Sequence, residues 1–103
     1  MSRLQVFILA ELNVAQAFKK VRGITVKELA DRIPIKSPVD TVYRNIKILI
    51  DEGFVEKGIK VGKSDSYYIT EAGIVALKKK KLGLVRYITS LFTNKGEFYE
   101  YKR

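Results

Sequence analysis

Residues 37–53 read SPVDTVYRNIKILIDEG and carry the start and stop signals of one helix. Ser37 is a preferred capping residue, Pro38 suits the first helical position, and Asp40 completes a capping box with Ser37. Gly53 is the residue type that most often ends a helix in the left-handed conformation. The pattern therefore predicts a helix that begins after Ser37 and ends just before Gly53.

This helix is predicted to be amphipathic. At 100° per residue, the apolar side chains fall within an arc about 120° wide, which predicts a core-facing stripe. The stripe contains Val39, Val42, Tyr43, Ile46, Leu49 and Ile50. The side chains that face away from it are Asp40, Thr41, Arg44, Asn45 and Lys47. Ile48 also falls outside the stripe, so one exposed apolar residue is predicted on the outer face.

A longer helix is predicted at the start of the chain. Ser2 suits its cap, Gly23 its stop, and Asn13 is a break within it. Apolar residues recur there at helical spacing, namely Leu4, Phe7, Ile8, Leu12, Ala15 and Phe18.

A short helix is predicted next. Thr25 and Glu28 have the spacing of a capping box. The helix must end near Ile33, because Pro34 has no amide hydrogen and restricts the residue before it. Its buried side chains are expected to be Val26, Leu29, Ala30 and Ile33.

After Gly53 the hydrophobic period changes toward two. Extended segments are predicted over residues 54–61 and 66–70, joined by a turn of sequence GKSD, which makes a β-hairpin. Thr70 then suits the cap of a final helix from Glu71 to about Phe92.

Composition narrows the function. The 103 residues include 20 Lys and Arg against 11 Asp and Glu, a net charge of +9 that favours a polyanionic partner. Cys and His are both absent, which excludes disulfides, thiolate and imidazole catalysis and nearly all zinc or copper sites. We therefore predict no enzyme activity, no metal site and no cofactor.

Length and hydropathy predict a single cytoplasmic domain. A chain of 103 residues supplies apolar material for one core. Its longest apolar runs, such as residues 6–10, are far shorter than the roughly 18 residues that a membrane span needs. No membrane partner is expected.

The order of predicted elements is that of a winged helix-turn-helix domain. Residues 41–55, TVYRNIKILIDEGFV, resemble the recognition helix and following strand of winged-helix transcription regulators. Residues 67–73, YYITEAG, are similar to the second wing strand and next helix of PadR-type and MarR-type repressors. With residues 24–30 as the second helix, the resemblance covers about residues 4–77. The chain also resembles small archaeal and archaeal-virus winged-helix regulators in size.

The resemblance implies a mainly α fold with a small β-hairpin wing, an α+β winged helix-turn-helix with a C-terminal dimerisation helix. Residues 1–103 would form one domain. Its DNA-binding core would span about residues 4–70, its C-terminal helix residues 71–93 and its tail residues 94–103.

The resemblance also implies that the third helix enters the major groove of double-stranded DNA, while the basic wing lies on the minor groove or backbone. Arg44 is the leading candidate for base reading, because its planar guanidinium can bond guanine O6 and N7 together. Tyr43 is expected to pack its ring in the core and reach the backbone with its hydroxyl. The expected DNA-binding residues are Lys36, Ser37, Thr41, Tyr43, Arg44, Asn45, Lys47, Lys57, Lys60 and Lys63. Two structural alternatives are an ion pair of Arg44 with Asp40 and a merely solvated set of wing lysines.

The closing helix carries apolar residues at alternating spacings of three and four, a pattern typical of helix pairing. We expect a symmetric homodimer whose recognition helices read half-sites about 34 Å apart. The expected interface is Ile74, Leu77, Lys81, Leu84, Val85, Ile88, Leu91 and Phe92. Alternatively, this stripe folds back on the first helix within one chain.

The predicted function is sequence-specific transcription regulation through double-stranded DNA, in the cytoplasm and at the nucleoid when bound. One alternative is a winged-helix protein–protein adaptor, favoured by Ile48 and by Phe98, Tyr99 and Tyr101. Another is a non-specific nucleic-acid-binding protein. No residue pattern identifies a small-molecule effector.

Overall fold

In the computed structural model the described residues are 1–80, and they contain four helices and a three-stranded sheet. The helices are α1 (Arg3–Val14), α2 (Val26–Arg32), α3 (Val39–Asp51) and α4, to which residues 71–80 belong. A single 3₁₀ turn occupies Lys20–Arg22. The strands are β1 (Ile24–Thr25), β2 (Val55–Lys57) and β3 (Ser66–Ile69). This arrangement confirms the winged-helix α+β fold.

Ser2 caps α1 as predicted, with a capping box that was not predicted, whereas the capping box predicted at α2 forms only in part. At α1 the box is complete, because Ser2 and Gln5 each bond the other's amide through their side chains at 3.2 Å. At α2 only half forms: the Thr25 hydroxyl accepts from the Glu28 amide at 3.3 Å. The Glu28 carboxylate pairs with Arg32 at 3.4 Å instead of reaching back.

The first helix ends well ahead of Gly23, where the sequence had placed its stop. Gln16 adopts a left-handed φ of 58°. Its amide bonds the Asn13 carbonyl, and the Ala17 amide bonds the Leu12 carbonyl, which together close a Schellman motif. The break therefore falls next to Asn13, and it turns the chain so that Ala17 enters the core.

The start of α3 also corrects a prediction. The capping residue is Pro38, with no side-chain cap, so the capping box of Ser37 and Asp40 is wrong. A capping side chain bonds the amides two or three residues beyond itself in the first turn, and Ser37 lies one position too early to do so. Its hydroxyl donates instead to the Ile35 carbonyl at 3.4 Å.

The other end of α3 follows the prediction. Gly53 has a φ of 84°, a conformation that costs a glycine little. The Gly53 and Phe54 amides bond the carbonyls of Ile50 and Leu49, both at 2.9 Å. This second Schellman motif directs the chain from α3 into the sheet.

The sheet contains the predicted hairpin and one strand that was not predicted. Its order is β1-β3-β2, with antiparallel pairing throughout. The first hairpin strand is shorter than residues 54–61, because beyond Gly58 the chain leaves β3 and the Ile59 amide bonds the Lys20 carbonyl. A Cβ on Gly58 would meet that same Lys20 oxygen, so the close crossing requires glycine.

The core lies between the helices and one face of the sheet. Its buried residues are Ile8, Leu9, Leu12, Ala17, Ile24, Leu29, Ile33, Val42, Ile46, Leu49, Val55, Tyr67, Ile69 and Leu77. Of the residues expected to be buried by α2, Val26 and Ala30 are only half-buried. Thr70 caps α4 as predicted, accepting from the Gly73 amide at 3.1 Å.

Some expectations fall outside the described residues. They concern interface residues Lys81, Leu84, Val85, Ile88, Leu91 and Phe92, and tail residues Phe98, Tyr99 and Tyr101. Within residues 1–80, none of the helices has the length and apolar character needed to cross a membrane.

Candidate nucleic-acid interface

The outward face of α3 differs from the predicted one. Val42, Ile46 and Leu49 are fully buried, but Val39 is 46% exposed and Tyr43 is 43% exposed. The inclusion of Val39 and Tyr43 in the core-facing stripe is therefore wrong. The buried arc of α3 is displaced from the Tyr43 side of the helix toward Asn45.

A hydrogen bond between α1 and α3 accounts for part of this displacement. The buried Gln5 donates from Nε2 to Asn45 Oδ1 at 2.9 Å, and Asn45 donates from Nδ2 to the Thr41 carbonyl at 2.8 Å. Asn45 is half-buried as a result. Its amide group is thus used inside the fold on both its donor and its acceptor side.

Arg44 projects from the exposed face. Its Nη2 donates to the Thr41 hydroxyl at 3.3 Å. The ion pairs within residues 1–80 do not include the alternative pair of Arg44 with Asp40. Because the hydroxyl is neutral, the positive charge of Arg44 is left available to an anion or a base edge.

Tyr43 and Lys47 form a pair along the wing-facing side of α3. The Lys47 ammonium lies 5.6 Å from the centre of the Tyr43 ring, within the range of a cation–π contact. Both side chains are exposed. The expectation that Tyr43 packs its ring in the core is therefore wrong, and its aromatic face belongs to the surface.

The turn that leads into α3 forms a concave surface. Lys36 is exposed and Ser37 is half-buried. A cavity of about 480 Å³ is bounded here by Lys36, Ser37 and Pro38 on one side and Asp31 of α2 on the other. Lys36 thus places a positive charge beside the N-terminal end of α3, where the helix dipole also favours an anion.

The wing carries its lysines beside an acid that the sequence reasoning overlooked. Asp65 pairs with the Lys57 ammonium at 3.4 Å and with the Lys60 ammonium at 3.6 Å. Lys63 is exposed at the turn, where Gly62 has a φ of 64°. The sequence did contain a signal for these ion pairs. Asp65 is the last residue of the predicted GKSD turn, and a hairpin brings that position back beside the first strand.

A groove separates α3 from the wing. A cavity of about 330 Å³ lies there, bounded by Tyr43 and Lys47 of α3 and by Lys57 and Tyr67 of the sheet. Burial, then the Asp65 carboxylate and Tyr43, raise the pKa of Tyr67. The groove therefore brings together α3 and wing residues that the sequence assigned to one surface.

Two residues of the expected dimer interface lie in the described part of the chain, and of these Leu77 is buried within one chain while Ile74 is only half-buried. Leu77 is 2% exposed and belongs to the core, and Ile74 packs against it. We therefore leave Leu77 out of the proposed interface. This burial agrees with the alternative in which α4 packs within its own chain, as far as residue 80.

The described part of the chain offers no metal site. Among residues 1–80, no group of three or more acidic side chains converges to hold a metal ion.

Comparisons with known proteins identify the family. No protein-family model matches the chain, and no curated protein matches its sequence. Its structure is similar to the DNA-binding TubR fragment from Clostridium botulinum, with 30% identity and a TM-score of 0.62 over 77% of this chain and 95% of that one. It is similar to a mutant of MepR from S. aureus, with 13% identity and a TM-score of 0.79 over 99% and 72% of the two chains. The M. tuberculosis transcriptional regulator MosR gives 24% identity and a TM-score of 0.65 over 92% and 63%.

The winged-helix architecture, the exposed basic face of α3 and these likenesses lead to one conclusion. The chain belongs to the winged-helix DNA-binding proteins, as its likeness to the DNA-binding TubR fragment shows.

Proposed function

We propose that this protein is a sequence-specific transcription regulator that binds double-stranded DNA as a homodimer. The observation that carries the proposal is the division of α3 into two faces. Val42, Ile46 and Leu49 are sealed in the core, while Arg44 and Lys47 are exposed. A helix with this division can enter a major groove without unfolding any part of the core.

In the proposed complex, Arg44 reads a base edge. A guanidinium can donate to guanine O6 and N7 together, and the Thr41 hydroxyl holds it at 3.3 Å before DNA arrives. Ordering the side chain in advance lowers the entropy lost on binding. We leave Asn45 out of the proposed base contacts, because its half-buried amide already bonds Gln5 and the Thr41 carbonyl.

Lysines on both sides of α3 supply phosphate contacts. Lys36 lies at the entrance to α3, and Lys57, Lys60 and Lys63 lie on the wing. Asp65 offsets part of the wing charge, so the wing contributes less affinity than its lysine content predicts. Each neutralised phosphate should change the slope of log K against log salt by about 0.9.

The homodimer is proposed from the sequence pattern beyond residue 80. Leu84, Ile88 and Leu91 continue the heptad spacing. With Leu77 used by the core, the interface would be formed by Ile74 together with residues Lys81, Leu84, Val85, Ile88, Leu91 and Phe92. Two recognition helices would then face half-sites about 34 Å apart, or a multiple of that distance.

The decisive experiment selects bound duplexes from a random pool and compares Arg44→Ala with wild type on the recovered site. We expect Arg44→Ala to lose about 1–3 kcal/mol of binding free energy and to lose its base preference at one base pair of each half-site only. Arg3→Ala is the matched control, since it removes the same charge from an exposed residue of α1. Equal affinity of the wild type for every duplex would contradict sequence-specific regulation and favour general nucleic-acid binding.

The dimer has its own test. Ile88→Glu should produce monomers in sedimentation and weaken binding to the two-half-site duplex. Val14→Glu introduces the same charge at an exposed apolar residue, 71% accessible at the end of α1, and should leave the mass unchanged. A wild-type protein that sediments as a monomer at the concentrations of DNA binding would overturn the dimer.

One observation favours a second function. Ile48 is 46% exposed on the outer side of α3, as the sequence predicted. An exposed apolar residue on this helix would suit a protein-binding adaptor. Under that function Arg44→Ala leaves DNA affinity unchanged, so the same experiment distinguishes the two.

A further inference from the structure

Two apolar side chains stand on the outer face of α3 at the first turns of the helix. Val39 is 46% exposed and Tyr43 is 43% exposed, and they are four positions apart, so they adjoin along one side of the helix. The N-terminal turns of a recognition helix are the part that reaches base edges. Val39 and Tyr43 are therefore placed to contact a base edge, and because they are apolar their partner there differs from the polar guanine edge proposed for Arg44.

The surroundings of this pair indicate the kind of partner. Val39 and Tyr43 line one cavity of about 270 Å³, together with Val26 and Lys27 of α2 and Asp65 of the wing. Lys27 and Asp65 contribute opposite charges to the lining of this cavity, so the lining has no net charge to attract a phosphate group, and the carbon atoms of Val39 and Tyr43 offer a phosphate no hydrogen bond. An uncharged, partly apolar group fits this environment better.

The major groove contains one apolar group, the C5-methyl of thymine. We propose that Val39 and Tyr43 contact thymine methyl groups beside the base that Arg44 reads, so that the preferred site contains thymines as well as a guanine. This inference rests on the proposed function. It assigns specificity to two residues that the helical pattern had placed in the core.

The spacing of the two side chains is compatible with that assignment. Four helical residues span about 6 Å along the axis. Successive bases of one strand are about 3.4 Å apart along the duplex. Val39 and Tyr43 therefore match thymines about two base-pair steps apart. The Lys47 ammonium, 5.6 Å from the Tyr43 ring centre, also restricts where that ring can turn.

The test removes the methyl group from the DNA rather than the side chain from the protein. In the duplex recovered by selection, each thymine is replaced in turn by uracil, which pairs identically and leaves all phosphates in place. We expect one or two replacements per half-site to weaken wild-type binding about fourfold each, the value for burying one CH₂-sized group. All other replacements should have no effect.

Protein variants then assign each methyl group to its side chain. With Val39→Ala, one of the sensitive thymines should become indifferent to uracil, and with Tyr43→Ala the other should. Ile48→Ala is the matched control, because Ile48 is also 46% exposed on α3 but lies on the opposite side of the exposed face. It should keep the wild-type pattern of sensitive thymines.

The outcomes separate this inference from the proposed function. A wild type that discriminates its site from scrambled duplex but tolerates uracil at every thymine overturns the thymine contacts and leaves sequence-specific binding intact. Sensitive thymines that persist in both Val39→Ala and Tyr43→Ala also overturn the assignment. A wild type without any sequence preference removes the proposed function, and the thymine contacts with it.

Discussion

Asn45→Ala tests two roles of Asn45, the DNA contact predicted from the sequence and the hydrogen bond to Gln5 found in the structure. The substitution leaves Gln5 Nε2 without its acceptor at a residue that is only 8% exposed. A buried donor left unpaired costs about 1–3 kcal/mol. Alanine's better helix propensity returns about 0.5 kcal/mol, and the Thr41 carbonyl keeps its helical bond. We expect a net loss of about 0.5–2.5 kcal/mol in the free energy of unfolding.

Chemical denaturation measures this loss, and the thermal midpoint should fall by about 4–8 °C for each kcal/mol. A double-mutant cycle with Gln5→Ala should give a coupling of about 0.5–1.5 kcal/mol, the net value of one such bond. DNA affinity, measured well below the midpoint, should stay within twofold of wild type, on the order of 0.4 kcal/mol. A variant with unchanged stability and lost DNA affinity would show that Asn45 serves the DNA and that its bond to Gln5 is incidental.

Three further substitutions follow from single contacts. Asp65→Asn removes the acid that pairs with two wing lysines, so we expect tighter binding to random DNA and a salt slope steeper by up to about 0.9 per added phosphate contact. Leu77→Ala should lower the free energy of unfolding by about 2–5 kcal/mol in denaturation, equally at low and high protein concentration, because the side chain is buried in its own chain. Gly73→Ala should lower the free energy of unfolding by about 1–3 kcal/mol, because the added Cβ meets the Phe54 carbonyl oxygen. At an open helical position the same substitution would raise the free energy of unfolding, so a raised thermal midpoint would contradict this prediction.

The order of elements was readable from the sequence because its signals are local. Ser2 and Thr70 bond amides three residues away, and Gly53 supplies its own left-handed turn. Such contacts form within one turn of chain and need no partner element. The hairpin was equally readable, since its turn lies between two extended segments.

The chain path around Ala17 was less readable. The residue that turns left-handed after α1 is Gln16, a residue type with no special preference for that conformation. The turn is stabilised by the burial of Ala17 and by a hydrogen bond that the Ile69 amide of β3 donates to the Ala17 carbonyl. Strand β1 likewise exists only because β3 lies beside it.

For the candidate interface, the sequence determined that α3 is amphipathic and that positive charge flanks it, because periodicity and residue type are properties of the segment alone. Which side of α3 faces outward depended on contacts between distant segments. The Gln5 bond draws Asn45 inward, Tyr43 and Val39 are left at the surface, and Asp65 neutralises part of the wing. Helical periodicity places an apolar arc only to within a residue or so, and the packing of α1 and the sheet against that arc fixes its direction.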